Sequence, residues 1–432
     1  MSTSSRRITT ISQPLKATVC VPGSKSLTNR ALLIAALANG TTRLTNTLFS
    51  DDSKYFAKAL QTLGFDVHLD ETGREMTVIG LGGKIPAKKA ELFIGNAGTA
   101  ARFLSAFLTL GNGEYILDGE PRMRERPIGD LVEALAQLGA TIQPSSFSIE
   151  PSQICPPVKI DAQGLPGGKT KIAGNISSQF LSALLMVAPY AQSPIEIELT
   201  TDLNSKPYVD MTVSVMKDFG VGIERHDYSQ FTIHPANYSP LSTYAIESDA
   251  SAASYFFAAP AICGGTVRVE NISRTSVQGD IAFLDVLQQM GCAVEESGNS
   301  IMVHGPSSIV GVDADMRDIP DTAQTLAAVA PFASSPTRIR GIASARVKET
   351  DRVHATCTEL ARLGVRVEEH DDGMTIYPYQ NFQPATVQTY NDHRMAMSFS
   401  LIGLRYDGVT IENPSCVSKT FPNFFEVLDS LR

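Results

Sequence analysis

Short segments in which apolar and polar residues alternate recur six times along the chain. Alternation with a period of two residues predicts a β-strand that is buried on one face. The six segments span residues 40–46, 113–119, 193–199, 265–271, 335–341 and 408–413. Their first residues lie 73, 80, 72, 70 and 73 positions apart, so the pattern indicates six copies of one structural unit.

A second recurring segment follows each predicted strand and has the spacing of an amphipathic helix. Its copies span residues 56–64, 131–139, 213–220, 283–291, 357–364 and 424–431, and the first five end in glycine. A glycine directly after the last apolar residue favours a left-handed helix C-cap. We therefore predict that each of the first five helices ends at its glycine.

A third segment precedes each strand and is apolar on nearly all sides. Its copies span residues 27–38, 99–110, 177–188, 249–261, 321–333 and 392–404. A helix of this composition is buried rather than amphipathic. Each unit therefore combines a buried helix, a strand, a surface helix and further strands, which predicts an α/β architecture.

Six units of this size favour two globular domains of three units each over an open solenoid, because no terminal unit has the polar character of a cap. The pattern breaks at residues 239–246, and a matching crossing lies near Pro22 and Gly23. We therefore predict a first domain over residues 24–245 and a second domain made of residues 1–23 and 246–432.

The 432 residues include 36 Lys and Arg against 45 Asp and Glu, a formal net charge of −9. This acidity argues against a general nucleic-acid-binding protein. The six cysteines are scattered without the spacing of metal ligands, so reduced thiols and no metal site are expected. The longest strongly apolar stretch, residues 180–191, is too short to span a bilayer. We predict a cytoplasmic protein.

The residues that begin the buried helices differ between the two predicted domains. The last three helices begin at Asp249, Asp321 and Asp392. The first three begin in segments rich in Ser, Thr, Asn and Gly at residues 24–26, 96–99 and 175–179. Aspartate at such a place is often a plain N-cap, and this interpretation stays open for Asp321. Ser and Gly leave the first N–H groups directed outward, which favours an anion.

Basic residues cluster near these helix starts and in the loops of the repeats. The clusters contain Lys25, Arg30, Arg122, Arg124, Arg126, Arg346, Lys348, Arg352, Arg394 and Lys419. Any one cluster has a plain interpretation as a solvated loop. Their recurrence at equivalent places in an acidic chain predicts instead a cleft between the two domains that binds a small polyanion.

Ten short motifs occur in order along the chain. They lie at residues 22–26 (Pro-Gly-Ser-Lys-Ser), 95–100, 122–129 (Arg-Met-Arg-Glu-Arg-Pro-Ile-Gly), 177–180, 205–208, 279–280, 319–321, 346–352 (Arg-Val-Lys-Glu-Thr-Asp-Arg), 391–397 and 419–422. From Pro14 to Phe425 the chain thus resembles the 5-enolpyruvylshikimate-3-phosphate synthase family. The resemblance implies a two-domain inside-out α/β barrel of six βαβαββ repeats, and a monomer that needs no metal or organic cofactor.

The resemblance also implies the reaction and the residues that perform it. The enolpyruvyl group of phosphoenolpyruvate is transferred to the 5-hydroxyl of shikimate 3-phosphate, a step of the shikimate pathway, by addition and elimination. Shikimate 3-phosphate is expected to contact Lys25, Ser26, Arg30, Ser177, Ser178, Gln179, Ser205, Tyr208, Asp321, Ser344 and Lys348. Phosphoenolpyruvate is expected to contact Lys25, Asn96, Gly98, Arg126, Gln179, Arg352, Arg394 and Lys419.

Four residues are implied as catalytic groups. Asp321 is the expected general base, Lys25 and Glu349 are the expected proton carriers at carbon 3, and His393 is expected to orient Glu349. Which of the first three moves which proton stays open at this point.

Two departures from the family pattern lie beside these residues. Ser344 and Ala345 stand where many relatives have Asn-Trp, which is expected to weaken one contact to shikimate 3-phosphate. Ala101 and Phe103 stand where many relatives have Met and Pro around an arginine. Losing a proline from the first turn of this helix is expected to shift Gly98, and with it the response to the inhibitor glyphosate.

Two alternative functions remain at this point. A sister transferase that acts on UDP-N-acetylglucosamine shares the fold, but it commonly has a cysteine in its second unit, and no cysteine lies between Cys20 and Cys155. A protein that processes or binds RNA termini would use the arginines on a phosphate backbone. The net charge and the lack of aromatic residues among the basic motifs count against it.

Overall fold

The computed structural model describes residues 4–144 and 154–432, which form two compact units, each with its own hydrophobic core. Unit I is Gly23–Ile246. Unit II combines Met1–Pro22 with Glu247–Arg432. The predicted domain ranges also include residues 1–3 and 145–153, which lie outside the described residues.

The helices and strands of the described residues follow in chain order. The α-helices are α1 (Lys25–Leu37), α2 (Asp51–Thr62), α3 (Gly98–Leu108), α4 (Gly129–Gln137), α5 (Ser178–Val187), α6 (Lys206–Asp218), α7 (Ala250–Cys263), α8 (Phe283–Gln289), α9 (Ala323–Val329), α10 (Arg352–Arg362), α11 (His393–Gly403) and α12 (Phe424–Asp429). The β-strands are β1 (Ser5–Arg7), β2 (Leu15–Cys20), β3 (Asn39–Thr45), β4 (Asp66–Asp70), β5 (Glu75–Leu81), β6 (Lys89–Phe93), β7 (Asn112–Asp118), β8 (Thr141–Pro144), β9 (Val158–Gln163), β10 (Gly168–Ile172), β11 (Ile195–Leu199), β12 (Glu224–His226), β13 (Gln230–Ile233), β14 (Tyr244–Ala245), β15 (Gly265–Glu270), β16 (Ala293–Glu296), β17 (Ser300–Gly305), β18 (Asp313–Asp315), β19 (Thr337–Arg340), β20 (Val367–His370), β21 (Gly373–Ile376), β22 (Ala385–Val387) and β23 (Val409–Glu412).

Within the described residues, each unit contains three sheets, one for each predicted repeat. In unit I the strand orders are β14-β3-β5-β4, β6-β7-β9-β8 and β10-β11-β13-β12. In unit II they are β16-β17-β15-β2, β18-β19-β21-β20 and β1-β23-β22. The last sheet has three strands because the sixth repeat ends with α12, and β1 completes the sheet by pairing antiparallel with β23.

The chain passes from unit II to unit I after β2 and returns to unit II after β14, and each of these strands belongs to the unit that the chain is leaving. Strand β2 pairs in parallel with β15, so the segment before the chain enters unit I belongs to unit II. Strand β14 pairs in parallel with β3, so the segment before the chain returns belongs to unit I.

The six helices predicted to be buried lie inside the two units. Every residue of α3 and of α11 is buried. Helix α3 packs against α1 and α5, and α7, α9 and α11 pack against one another. Because such helices offer no side to water, polar side chains reach solvent mainly from their ends.

The amphipathic helices and their glycine caps are confirmed. Gly64, Gly139, Gly220, Gly291 and Gly364 follow α2, α4, α6, α8 and α10 with φ angles from 84° to 108°. Helix α6 begins at Lys206, well before the predicted residue 213, because Pro207 fits the first turn of a helix. Within residues 4–144 and 154–432, no helix is both long and apolar enough to cross a bilayer.

Candidate active site

Arg30 is the most deeply buried cation of unit I. It projects from α1 and donates hydrogen bonds to Oγ1 of Thr212 (2.8 Å), Oγ of Ser182 (3.3 Å) and the carbonyl oxygens of Ser26 (2.9 Å) and Tyr208 (3.1 Å). These acceptors are all neutral. Burial lowers the pKa of Arg30 to about 10, so the guanidinium stays charged at neutral pH. A buried charge among neutral groups is a strong attractor for an anion.

Lys25 and Ser26 occupy the first turn of α1. Oγ of Ser24 caps this helix by accepting from the N–H of Leu27 at 3.4 Å. The side chain of Lys25 is 13% exposed, and its Nζ lies 4.0 Å from Oδ2 of Asp52. The first two turns of α1 therefore combine a positive helix end with a lysine and the buried Arg30.

Arg126 lies against the start of α3. Its Nη1 donates to the carbonyl oxygen of Asn96 at 3.1 Å and to Oδ1 of Asn96 at 2.9 Å. A Cβ atom at Gly98 would lie 2.3 Å from Nη2 of Arg126. Only glycine at this position lets the guanidinium approach the helix end so closely.

The expectation that residue 103 belongs to the first turn of its helix is wrong. Helix α3 begins at Gly98, so Phe103 is in the second turn and is fully buried. Its ring lies 5.4 Å from the guanidinium carbon of Arg30, within the range of a cation–π contact. A substitution at Phe103 therefore acts on Arg30 more directly than on Gly98.

The remaining predicted residues of unit I lie at the starts of α5 and α6. Ser177 caps α5 by accepting from the N–H of Gln179 at 3.3 Å, and Nε2 of Gln179 donates to Oγ1 of Thr99 at 3.4 Å. Ser205 precedes α6 with a left-handed φ of 57°. The structure thus joins the start of α5 to that of α3 through Gln179 and Thr99, and joins α1 to the start of α6 through the bond from Arg30 to Tyr208.

Arg352 is the centre of a buried ion network in unit II. Its Nε donates to Oδ2 of Asp392 at 2.8 Å, its Nη2 to Oε2 of Glu349 at 2.8 Å, and its Nη1 to Oδ1 of Asp321 at 3.2 Å. Burial acts to lower the pKa of Arg352, but these carboxylates outweigh it and hold the pKa above its usual value.

Asp321 does not cap a helix, so the N-cap interpretation is wrong for this residue. It lies in a 3-10 turn, Pro320–Thr322, that precedes α9. Its carboxylate accepts from Nζ of Lys348 (3.0 Å), Nη1 of Arg352 (3.2 Å) and Nη2 of Arg394 (2.6 Å). The capping role does hold for Asp249, which accepts from the N–H of Ala252 at 2.8 Å.

The other predicted residues of unit II lie around this network. Nζ of Lys419 is 3.5 Å from Oε1 of Glu349. Nδ1 of the fully buried His393 is 3.6 Å from Oδ1 of Asp392. Ser344 lies in a 3-10 turn, Ala343–Val347, directly before Lys348. Two carboxylates, Asp321 and Glu349, are thus held among several cations, an arrangement suited to proton transfer beside a bound anion.

Comparison with known proteins identifies the family. The model of the family described as EPSP synthase (3-phosphoshikimate 1-carboxyvinyltransferase) matches residues 9–428. The chain belongs to the EPSP synthase family. A curated protein of Nostoc sp. named 3-phosphoshikimate 1-carboxyvinyltransferase is 51% identical over 418 residues, which is 97% of each chain. A chloroplastic protein of Brassica napus with the same name is 48% identical over 452 residues, covering all of this chain and 86% of its own.

Solved structures agree with this assignment. The EPSP synthase of Acinetobacter baumannii superposes with a TM-score of 0.81 at 26% identity, covering 98% of this chain and 97% of its own. The enolpyruvyl transferase NikO from Streptomyces tendae, at 18% identity and a TM-score of 0.76, shares the fold. The predicted family and the predicted inside-out α/β barrel are confirmed.

In this member of the EPSP synthase family, the roles of three buried groups near Asp321 could not be predicted from the sequence. Asp392 was expected only to cap a helix; it caps α11 through the N–H of Arg394 (2.8 Å) and also binds Arg352. The hydroxyl of Tyr255 accepts from Nη1 of Arg394 at 3.4 Å. Asp280 and Asp392 lie in two of the ten motifs, which was the only sign of them in the sequence. No motif contains Tyr255, and its bond joins residues that are 139 positions apart.

Asp280 is a buried carboxyl group in unit II. Its Oδ2 is hydrogen-bonded to the hydroxyl of Ser251. Burial, reinforced by the negative charge of Asp321, raises the pKa of Asp280 from 3.8 to about 6. Between these two values the unfolded chain releases this proton and the folded chain keeps it. The group therefore stabilises the fold fully below pH 3.8, and this contribution is lost as the pH rises through about 6.

We expect Asp280→Asn to remove this pH dependence. The amide keeps a partner for Ser251 but does not ionise, so the wild type should lose about 2–3 kcal/mol of unfolding free energy relative to the variant between pH 4 and 6.5. Urea unfolding at several pH values measures the difference. Asp315→Asn, at a partly exposed aspartate paired with Arg340, is the control. A difference that stays constant with pH would contradict the raised pKa.

Proposed function

We propose that this chain is a 3-phosphoshikimate 1-carboxyvinyltransferase. It transfers the enolpyruvyl group of phosphoenolpyruvate to the 5-hydroxyl of shikimate 3-phosphate and releases inorganic phosphate. Identity of about half of all residues with curated proteins of that name, over nearly the whole chain, supports the activity. The structural observation that carries the proposal is the carboxylate of Asp321, held by Lys348, Arg352 and Arg394.

Shikimate 3-phosphate is proposed to bind mainly to unit I. The neutral surroundings of the buried Arg30 support this, because an anionic ligand would supply the missing negative charge. The proposed contacts are Lys25, Ser26, Arg30, Ser177, Ser178, Gln179, Ser205 and Tyr208, with Asp321, Ser344 and Lys348 from unit II.

Phosphoenolpyruvate is proposed to contact cations of both units. The close approach of Arg126 to Gly98 supports an anion at the start of α3, where helix dipole and guanidinium act together. The proposed contacts are Lys25, Asn96, Gly98, Arg126, Gln179, Arg352, Arg394 and Lys419. Several fixed cations suit a ligand that carries both a phosphate and a carboxylate.

The proposed reaction is an addition followed by an elimination. Asp321 accepts the proton of the 5-hydroxyl while the hydroxyl oxygen bonds to carbon 2 of phosphoenolpyruvate. Carbon 3 receives a proton from Lys25 or Glu349. The tetrahedral intermediate then breaks its bond from carbon 2 to the phosphate oxygen. Carbon 3 returns a proton, which restores the double bond. Arg126, Arg394 and Lys419 hold the charge of the departing phosphate, and His393 orients Glu349.

The proposal includes a monomeric, cytoplasmic enzyme that acts on small molecules and needs no cofactor. The net charge of −9 argues against a nucleic-acid partner and is compatible with small anionic substrates that bind to local basic clusters.

The test is the release of inorganic phosphate when shikimate 3-phosphate and phosphoenolpyruvate are mixed with the protein. Asp321→Asn and Lys25→Ala should each lower kcat by about 100-fold or more, because each removes a proton-transfer group. Lys54→Ala, at an exposed lysine paired with Glu71 on unit I, should leave kcat unchanged. No phosphate release by the wild type, or a wild-type kcat in Asp321→Asn, would contradict the proposal.

The response to glyphosate is proposed to depend on Phe103. Its contact with Arg30 joins the start of α3 to the proposed shikimate 3-phosphate site. We expect the inhibition constants of the wild type and Phe103→Pro to differ by about threefold or more, which is about 0.7 kcal/mol. Phe107→Leu, one turn further along α3, is the control and should match the wild type. Equal inhibition constants for the wild type and a folded Phe103→Pro variant would contradict this dependence on Phe103.

A further inference from the structure

We infer that Glu359 is a positioning residue for the proposed phosphoenolpyruvate site. Its carboxylate fixes the segment that carries Asp392, and Asp392 in turn fixes Arg352 and the start of α11. This inference rests on the proposed function, because it takes Arg352 and Arg394 as ligands of phosphoenolpyruvate.

Glu359 lies on α10, two turns after Arg352, and its side chain is fully buried. Its Oε2 accepts from the backbone N–H of Gln388 at 3.0 Å and from Nε of Arg362 at 2.9 Å. Its Oε1 accepts from the hydroxyl of Tyr390 at 2.9 Å and from Nη2 of Arg362 at 3.3 Å. A buried carboxylate is tolerated where such bonds satisfy it, and here two of its partners lie in one short segment.

The backbone of that segment needs support from its surroundings. Tyr390 and Asn391 have φ angles of 53° and 54°, which is the left-handed region that residues with a Cβ atom rarely adopt. Two such residues in succession persist only where neighbouring contacts fix them. Glu359 provides these contacts on one side, and Nδ2 of Asn413 donates to Oδ1 of Asn391 at 3.2 Å on the other.

The residue directly after this segment connects it to the proposed site. The N–H of the fully buried Asp392 donates to the carbonyl oxygen of Thr389 at 2.8 Å, which closes the turn. Oδ1 of Asp392 accepts from the N–H of Arg394, and Oδ2 accepts from Nε of Arg352, both at 2.8 Å. A shift of the turn would therefore displace both arginines.

These contacts close a loop that begins and ends on α10. Arg352 lies in the first turn of the helix and Glu359 in a later turn, and Asp392 and Tyr390 join them through the intervening segment. The competing explanation is that Glu359 is buried only as a partner for Arg362. The guanidinium side chain of Arg362 is 45% exposed, so that ion pair alone is a weak reason to bury a carboxylate.

The test variant is Tyr390→Phe, which removes the hydroxyl bond to Glu359 and keeps the ring. We expect the KM for phosphoenolpyruvate to rise about tenfold, the typical effect of losing a hydrogen bond to a charged group. The KM for shikimate 3-phosphate should stay within about twofold, and the melting temperature should fall by no more than a few degrees. Glu359→Gln, which no longer accepts at two carboxylate oxygens, should raise the same KM further.

Arg362→Gln is the matched control, because it removes the other partner of Glu359 and leaves the bonds to Gln388 and Tyr390. It should keep the wild-type KM for phosphoenolpyruvate. An unchanged KM in Tyr390→Phe, an equal rise for both substrates, or the same rise in Arg362→Gln would overturn the inference. Absence of phosphate release by the wild type would instead overturn the proposed function, and the inference with it.

Discussion

The constraint on which the rest of the structure depends is the complete burial of the inner helices. Helices such as α3 and α11 have no side that faces water, so their lengths are filled by apolar and small residues. Polar groups collect where these helices begin, and the backbone N–H groups of the first turn are directed there as well. Several residues assigned to substrate binding, such as Lys25, Ser177 and Arg394, lie at such helix starts, which ties part of the proposed chemistry to the packing of the fold.

Arg30 of unit I and Arg352 of unit II have different surroundings. In unit I, the buried Arg30 donates to hydroxyl and carbonyl oxygens. In unit II, Arg352 and Arg394 donate to carboxylates. Neutral acceptors leave a positive field that an anionic ligand can neutralise, whereas a carboxylate network fixes its arginines before any ligand arrives. Under the proposed function, Arg30 of unit I attracts shikimate 3-phosphate, and unit II supplies rigid groups for the reaction.

Features with a local cause could be predicted from the sequence. The glycine caps, the buried helices and the six strands follow from short patterns, and the structure confirms them. The motifs were sufficient to identify the family, and they named the residues that the structure gathers in each unit.

Features that depend on distant pairs could not be predicted. Asp321 was as compatible with a helix cap as with catalysis, because its partner Arg352 lies 31 positions away. The bond from Arg352 to Asp392 spans 40 positions, and the bond from Tyr390 to Glu359 spans 31. Local periodicity contains no information on such contacts; only the folded repeats bring these side chains together.

The most direct test of the account is a calorimetric titration of shikimate 3-phosphate, without phosphoenolpyruvate, into two variants whose folding has been checked by thermal melting. Arg30→Gln removes the buried cation of unit I, and Arg352→Gln removes the centre of the network in unit II. The account predicts that Arg30→Gln weakens binding by about tenfold or more, and that Arg352→Gln changes it by less than about threefold. Equal losses in the two variants, or a larger loss in Arg352→Gln, would contradict it.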